Sequence, residues 1–241
     1  MNAPEKQTTP ILRRIEEIVK DVPGWTPADQ LFTLFNLVYL TADLRGDILE
    51  IGSWCGRSTA VLGMAARLVG NTRLVCVDLF PEKNDWKQNA DGSYSLSVCI
   101  GGRVYSGYRD QRVWKEPFER EIAPVYAKYS SVYNVFRKTI KDNNLEDIVS
   151  EIRGNSDAIK GMLDVRFKLA FLDGDHSYEA VCADIRNAER WLVKGGWLCF
   201  DDAFSHYEGV DRAITEFVIN SGRYELCQQM TRKFFIARKK T

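Results

Sequence analysis

The chain has 241 residues and a mass of 27.6 kDa, with 45% hydrophobic residues, 33 basic against 33 acidic side chains and an isoelectric point near 6.7. That length and composition suit one large domain with a full core, and the balanced charge gives no electrostatic case for nucleic acid or an anionic membrane as partner. Six cysteines without a Cys-x-x-Cys pair argue against a disulfide framework or zinc site, and no apolar run is long enough to span a bilayer.

Met1 to Thr9 is polar, so no secretory signal is expected, residues 1–9 are expected to be disordered, and the expected location is cytoplasmic. From Pro10 to Asp21 the positions Ile11, Leu12, Ile15, Ile18 and Val19 keep a helical period. Thr26-Pro27 reads as an N-cap followed by proline at the first helical position, opening a second helix that runs to about Ala42. Residues 1–45 thus form an N-terminal extension, whose helices offer a surface for a homo-oligomer.

From Gly46 strand and helix alternate. Ile48 to Ile51 reads as a strand, Ser58 to Leu68 as a helix, and Leu74 to Val77 as a second strand ending in Asp78. Residues 81–129 break the rhythm: they are rich in Gly, Tyr and Arg, carry Trp86 and Trp114 and show little periodicity. They read as a lid-like, acceptor-binding insertion. Ser130 to Asn143 is predicted helical, Ile148 to Ile152 a third strand, and Asp157 to Leu163 a short helix. The strand ending at Asp173 precedes a helix over Tyr178 to Val193, stopped by Gly195-Gly196. A strand ending at Asp201, a helix over Val210 to Asn220 and a closing strand pair (Tyr224 to Met230, Lys233 to Arg238) complete the order. The sum is an α/β fold: a doubly wound, Rossmann-like sheet of seven mostly parallel strands with an antiparallel C-terminal hairpin and helices on both faces. Residues 46–241 form the main domain.

Chemistry concentrates where two apolar runs stop in acid. Leu169-Ala170-Phe171-Leu172 meets Asp173-Gly174-Asp175-His176, and Trp197-Leu198-Cys199-Phe200 meets Asp201-Asp202. Continuous apolar runs of this length suit strands buried on both faces, and their carboxyl ends are where open α/β sheets bind ligands. Clustered carboxylates there call for a divalent cation. Glu50-Ile51-Gly52-Ser53-Trp54-Cys55-Gly56-Arg57-Ser58-Thr59 joins the first strand to its helix. It is not Gly-x-Gly-x-x-Gly, so a dinucleotide is poorly supported. Asp78, at the end of the second strand, stands where an acid holds ribose hydroxyls.

Glu-Ile-Gly-x-x-x-Gly-x-Ser-Thr, Asp78 and Phe-Leu-Asp-Gly-Asp-His-Ser-Tyr-Glu resemble the class I S-adenosylmethionine-dependent methyltransferases. Phe-Leu-Asp-Gly-Asp-His, with Gly195-Gly196, a strand and Asp-Asp, is similar to the macrocin-type O-methyltransferases that act on sugars of natural products. The resemblance covers about residues 46–240. It implies that Gly52, Ser53 and Gly56 lie beside the methionine part of the cofactor, with Glu50 and Ser58 close by. Asp78 would take the ribose, and Asn155, Ser156 and Asp157 would border the adenine. It also places Mg²⁺, or another divalent cation, between Asp173, Asp201 and Asp202. Asp173 thereby adjoins both metal and cofactor, and His176 serves as general base. The acceptor would be a small hydroxylated molecule such as a sugar or polyketide.

Elementary chemistry agrees: a hard cation lowers the pKa of a bound hydroxyl, and a neutral histidine takes its proton. Each residue has a plainer reading. Asp175 reads better as a helix cap than as a ligand. Ser156 serves equally well as an N-cap, and His206 as an ordinary loop histidine. Joint ligation by Asp201 and Asp202 requires the chain to turn between them. Two rival functions remain open at this stage. One takes Asp173-Gly174-Asp175 as the Asp-x-Asp of a metal-dependent glycosyltransferase, and the other takes the chain as a non-catalytic binding subunit.

Overall fold

In the computed structural model, which describes residues 10–108, 112–162 and 164–241, the chain opens with helices α1 (Pro10–Val19) and α2 (Ala28–Leu40). The expected disorder of residues 1–9 falls outside the described residues. Thr26 is not the cap of α2. Pro27 holds that position without a side-chain hydrogen bond, and the Thr26 carbonyl instead accepts from Arg57 Nε at 3.0 Å. Arg57 Nη1 also donates to the carbonyls of Val19 (2.6 Å) and Val22 (3.0 Å), so one guanidinium ties the link between the two helices to the domain behind it.

Strand β1 (Asp47–Ile51), helix α3 (Arg57–Val69) and strand β2 (Leu74–Asp78) follow as the sequence predicts. The insertion is more ordered than its sequence implies. It builds an antiparallel sheet of its own from β3 (Trp86–Gln88), β4 (Tyr94–Ile100) and β5 (Arg103–Gly107). Helical turns follow at α4 (Lys115–Pro117) and in a π-helical stretch, Phe118–Ile122, which leads into α5 (Ala123–Tyr129). Aromatic pairing supplies what periodicity did not announce: Tyr94 stacks on Phe118 at 3.7 Å and Trp86 on Tyr108 at 5.7 Å.

Helix α6 (Val132–Asp142) is capped by Ser131, whose hydroxyl accepts from Asn134 N–H at 3.3 Å. Then come β6 (Val149–Arg153), a 3₁₀ turn over Ser156–Gly161 where a short helix reaching Leu163 was expected, and β7 (Phe167–Leu172); Leu163 lies outside the described residues. Helix α7 (Tyr178–Trp191) ends two residues early and passes straight into β8 (Leu192–Phe200). Gly195 and Gly196 therefore lie inside the strand rather than ahead of it. With φ at +73°, Gly195 takes a conformation that interrupts the run without ending it. Helix α8 (Glu208–Phe217), β9 (Tyr224–Gln229) and β10 (Phe235–Lys239) close the chain.

The main sheet has the order β6-β2-β1-β7-β8-β10-β9. Its first five strands run parallel; β10 is antiparallel to them, and β9, antiparallel to β10, returns to their direction. Burial on both faces explains the unbroken apolar runs. Ile48, Leu169 and Phe171 pack with Leu34, Leu62 and Phe136 from α2, α3 and α6. Their neighbours Leu49, Ala170 and Leu172 face the other way, toward Ile185 and Ala188 of α7 and Ile214 of α8. Each large side chain so buried contributes about 1.5–3 kcal/mol. Among the described residues no helix is long and apolar enough to cross a membrane.

Candidate active site

The carboxyl ends of β1, β2, β6, β7 and β8 open into one cavity of about 980 Å³. Gly52 turns the chain off β1 with φ at +89°, and a Cβ there would stand 1.9 Å from the Asp173 carbonyl oxygen. Only a glycine lets the β1–α3 loop lie directly on the backbone beyond β7. Asp173 N–H donates to the Ile51 carbonyl at 2.8 Å and Gly52 N–H to that of Val77 at 2.9 Å, so three strand ends are sewn together beneath the cavity.

Asp78 is part of the same seam. Its carboxylate accepts from Trp54 N–H (2.9 Å) and Phe80 N–H (2.5 Å), both on residues with positive φ. Burial pushes its pKa up, and these backbone donors oppose that. Glu50 is fully buried and absent from the cavity wall. Its carboxylate accepts from Ser53 Oγ at 2.8 Å, from Thr59 Oγ1 and from Cys76 Sγ at 3.4 Å, bracing the loop from behind. Burial raises this carboxyl above its usual range while the hydroxyl donors hold it down. Of the residues expected at the cofactor, Gly52, Asp78, Asn155, Ser156 and Asp173 line the cavity, whereas Glu50, Ser53, Gly56, Ser58 and Asp157 lie behind it. Gly56 takes the left-handed N-cap of α3.

The acid cluster differs in one respect from the expected trio. Asp173, His176 and Asp202 each bring a ligand atom within 4.8 Å of the others. Asp201 is turned aside: its Oδ1 accepts the N–H of Asp202 at 2.7 Å and its Oδ2 lies 3.2 Å from Lys233 Nζ. The turn needed between the adjacent acids is present, with Asp202 at φ +55°, and it sends their carboxylates different ways. Burial and then the charges of Asp201 and Asp202 push the Asp173 carboxyl well up.

His176 Nε2 lies 3.2 Å from Asp202 Oδ2, and its ring stacks 4.2 Å from Tyr207 and meets Tyr108 edge-on at 6.2 Å. Neither ring nitrogen makes a hydrogen bond among the described residues. Burial lowers its pKa below the ordinary 6.5, against the pull of Asp202, so the ring is neutral and can accept a proton at pH 7. Asp175 is not the helix cap: Ser177 holds the N-cap of α7 without a side-chain bond, and Asp175 accepts Ser177 N–H at 2.8 Å in the turn before it. Its other oxygen accepts Tyr108 N–H at 3.0 Å and anchors the insertion to the site. His206 lies on the cavity wall with its ring 3.9 Å from Tyr207.

At the far end Asn155, not Ser156, caps the 3₁₀ turn, its side chain accepting Asp157 N–H at 3.3 Å. Asn187 of α7 donates to Ser156 Oγ and to Asp157 Oδ1, each at 2.9 Å. Asp184 is only 7% exposed yet lines the cavity, and burial pushes its pKa up to about 7. It was detectable as the one acid among Val181, Cys182, Ile185 and Ala188 on the buried face of a helix. Lys233 had no such signal. It comes from a hairpin turn more than thirty residues from its partners, and contact across such a span leaves no periodicity.

Residues 49–203 match the model of a family described as a methyltransferase domain. The chain is similar to the O-methyltransferase NovP, with 15% identity over 96% of this chain and 98% of that one and a TM-score of 0.66. It is similar also to an O-methyltransferase from Bacillus cereus solved in complex with SAH, at 15% identity, 97% and 92% coverage and a TM-score of 0.56. CalS11, a TDP-rhamnose 3'-O-methyltransferase of calicheamicin biosynthesis, aligns at 15% identity over 96% and 95% of the two chains with a TM-score of 0.54. At these identities the likeness shows a shared fold.

Proposed function

The chain belongs to the methyltransferase-domain family, as a class I S-adenosylmethionine-dependent methyltransferase, and from that premise we propose that it methylates a hydroxyl oxygen of a small molecule with the help of a divalent cation. The observation that carries this reading is the placement of Asp173, His176 and Asp202 on the wall of the same cavity as Gly52 and Asp78. Gly52 leaves room for the methionine part of the cofactor against the loop backbone, Asp78 faces its ribose, and Asn155 and Ser156 border its adenine. The insertion closes the opposite side with Trp86, Tyr105 and Tyr108, aromatic surface suited to an acceptor with a flat or apolar face. Three of the similar structures carry O-methyltransferase names, and one name specifies a nucleotide-linked sugar. A sugar or polyketide hydroxyl of natural-product type is therefore the proposed acceptor.

The donor set fits a cation. Two carboxylates converge with a third acid behind them, and the Asp173 carboxyl, pushed up by its neighbours, is a group that a positive charge would relieve. Asp173 and Asp202 would hold the ion through oxygen, and bound there it would lower the pKa of the acceptor hydroxyl. His176 Nε2 is kept for the proton, since a nitrogen spent on a metal cannot act as a base. The acceptor O–H proton passes to His176, the oxygen forms a bond to the sulfonium methyl carbon, and the C–S bonding pair returns to sulfur. The products are the methyl ether and S-adenosylhomocysteine.

An acceptor screen with S-adenosylmethionine, run with Mg²⁺ and again with EDTA and read by mass spectrometry for a gain of about 14 Da, tests the reading. Asp173→Asn and Asp202→Asn are expected to abolish the Mg²⁺-dependent product while leaving cofactor affinity within about threefold, because neither removes a backbone contact of the glycine loop. Full turnover by both variants, or in EDTA, removes the metal from the mechanism.

A further inference from the structure

The acid cluster carries a cation of its own. Lys233 Nζ lies 3.0 Å from Asp202 Oδ1 and 3.2 Å from Asp201 Oδ2, and its side chain is 18% exposed. The backbone delivers it there firmly. The Lys233 carbonyl accepts Ala203 N–H at 2.9 Å, and the next residue, Phe234, is fully buried with its ring 6.1 Å from Phe171. Asp202 thus faces two ways, with one oxygen on Lys233 and the other 3.2 Å from His176 on the side where Asp173 converges.

Charge counting gives this arrangement a consequence. Ionised Asp173, Asp201 and Asp202 with Lys233 sum to two negative charges, which one divalent cation neutralises. Without the lysine the sum is three. A cation bound by Asp202 also lies within a few ångströms of the ammonium, in a largely buried site where like charges repel strongly.

We propose that Lys233 is the resident counter-ion of the acid cluster and competes with the divalent cation for it, pairing the acids before the ion arrives and weakening the ion's hold once it binds. This rests on the metal reading above. The lysine is a tuning residue of the site and touches no reacting atom.

Calorimetric titration of Mg²⁺ and Mn²⁺ into the full chain, with Lys233→Met, Lys233→Gln and Lys233→Arg beside the wild type, tests the proposal without turnover. Removing the charge is expected to tighten divalent binding by about tenfold in both neutral variants, while arginine keeps it within about threefold of wild type. In EDTA the neutral variants are expected to melt below wild type and to recover with Mg²⁺, since buried acids left without a counter-ion destabilise the fold. Glutamine keeps the comparison if methionine fails to fold. Equal or weaker ion binding by the neutral variants overturns the proposal and leaves the metal reading standing. Absence of divalent binding in every variant, wild type included, removes both.

Discussion

Gly52→Ala tests the seam between the cofactor loop and the acid cluster. At φ +89° an alanine pays the left-handed cost of roughly 1–2 kcal/mol. Its Cβ would also fall 1.9 Å from the carbonyl oxygen of Asp173, 2.4 Å from that carbonyl carbon and 2.8 Å from Gly174 N. All three are backbone atoms held by strand pairing, so no rotamer change relieves the contact. Forcing such an overlap adds roughly 1–3 kcal/mol, for a total of about 2–5 kcal/mol. In a chain of this size that lowers the melting temperature by roughly 5–15 °C. Gly222→Ala is the internal control: at φ +69° and ψ +4° it lies in the left-handed region with nothing within 4 Å of its Cβ, so it bears the conformational cost alone. Differential scanning calorimetry separates the two, and titration with S-adenosylmethionine is expected to show at least tenfold weaker binding in the Gly52 variant. If Gly52→Ala melts with Gly222→Ala and binds the cofactor like wild type, the shared backbone contact does not organise the site.

His176→Gln is expected to lose about 10²–10⁴ in kcat with cofactor affinity kept. The acid limb of the wild-type pH–rate profile is expected below pH 6.5, because burial lowers this histidine, and a limb that persists in the variant refutes the base. Asp184→Asn probes a buried acid whose pKa rises from 3.8 to about 7 on folding. Its folded value exceeds its unfolded one, so stability is lost as pH climbs from about 4 through 7, and the ionised form costs up to roughly 4 kcal/mol. The asparagine variant is expected to gain on wild type in urea melts at pH 8 and not at pH 4, and parallel stability curves at the two pH values would count against the burial account. Asp78→Asn is expected to weaken cofactor binding by tenfold or more, through the ribose contact and the Trp54 and Phe80 N–H groups that the carboxylate now holds. Unchanged affinity by titration places the ribose elsewhere.

What could be read from the sequence follows from the range of the interactions involved. Ile48 to Ile51 and Leu169 to Leu172 announce parallel strands because both faces are buried and the runs are apolar but for Glu50, whose carboxylate is met by Ser53, Thr59 and Cys76. The acids that end such runs are equally visible, since the sheet edge is where the apolar demand stops. The insertion was illegible because its three short strands are held by cross-strand and aromatic contacts such as Tyr94 on Phe118, which impose no simple period. Gly195-Gly196 misled for a related reason: a glycine pair normally stops a helix, yet here α7 ends at Trp191 and a strand absorbs the positive φ. The metal trio was expected as Asp173 at one strand end with the adjacent pair Asp201 and Asp202 at another. The orientation of Asp201 was decided by Lys233, whose approach depends on the fold of the C-terminal hairpin.

The position of Asp173 makes the two halves of the site one mechanical unit. Its side chain belongs to the acid cluster, its N–H is bonded to Ile51, and its carbonyl is the surface on which Gly52 rests. Methyl transfer requires oxygen, carbon and sulfur in line, and a misplacement of about 1 Å can cost roughly a hundredfold in rate. On the proposed reading that alignment would be set where β1 and β7 end together, through the bond from Asp173 N–H to the Ile51 carbonyl. A loop-borne acid would have to be ordered at each turnover, whereas here folding has already ordered it. Asp175 pins the insertion to the same turn through Tyr108 N–H. Under the proposed function, an acceptor held against the wall of β3, β4 and β5 would meet the cofactor's sulfur and the acid cluster at a separation set by the strand ends.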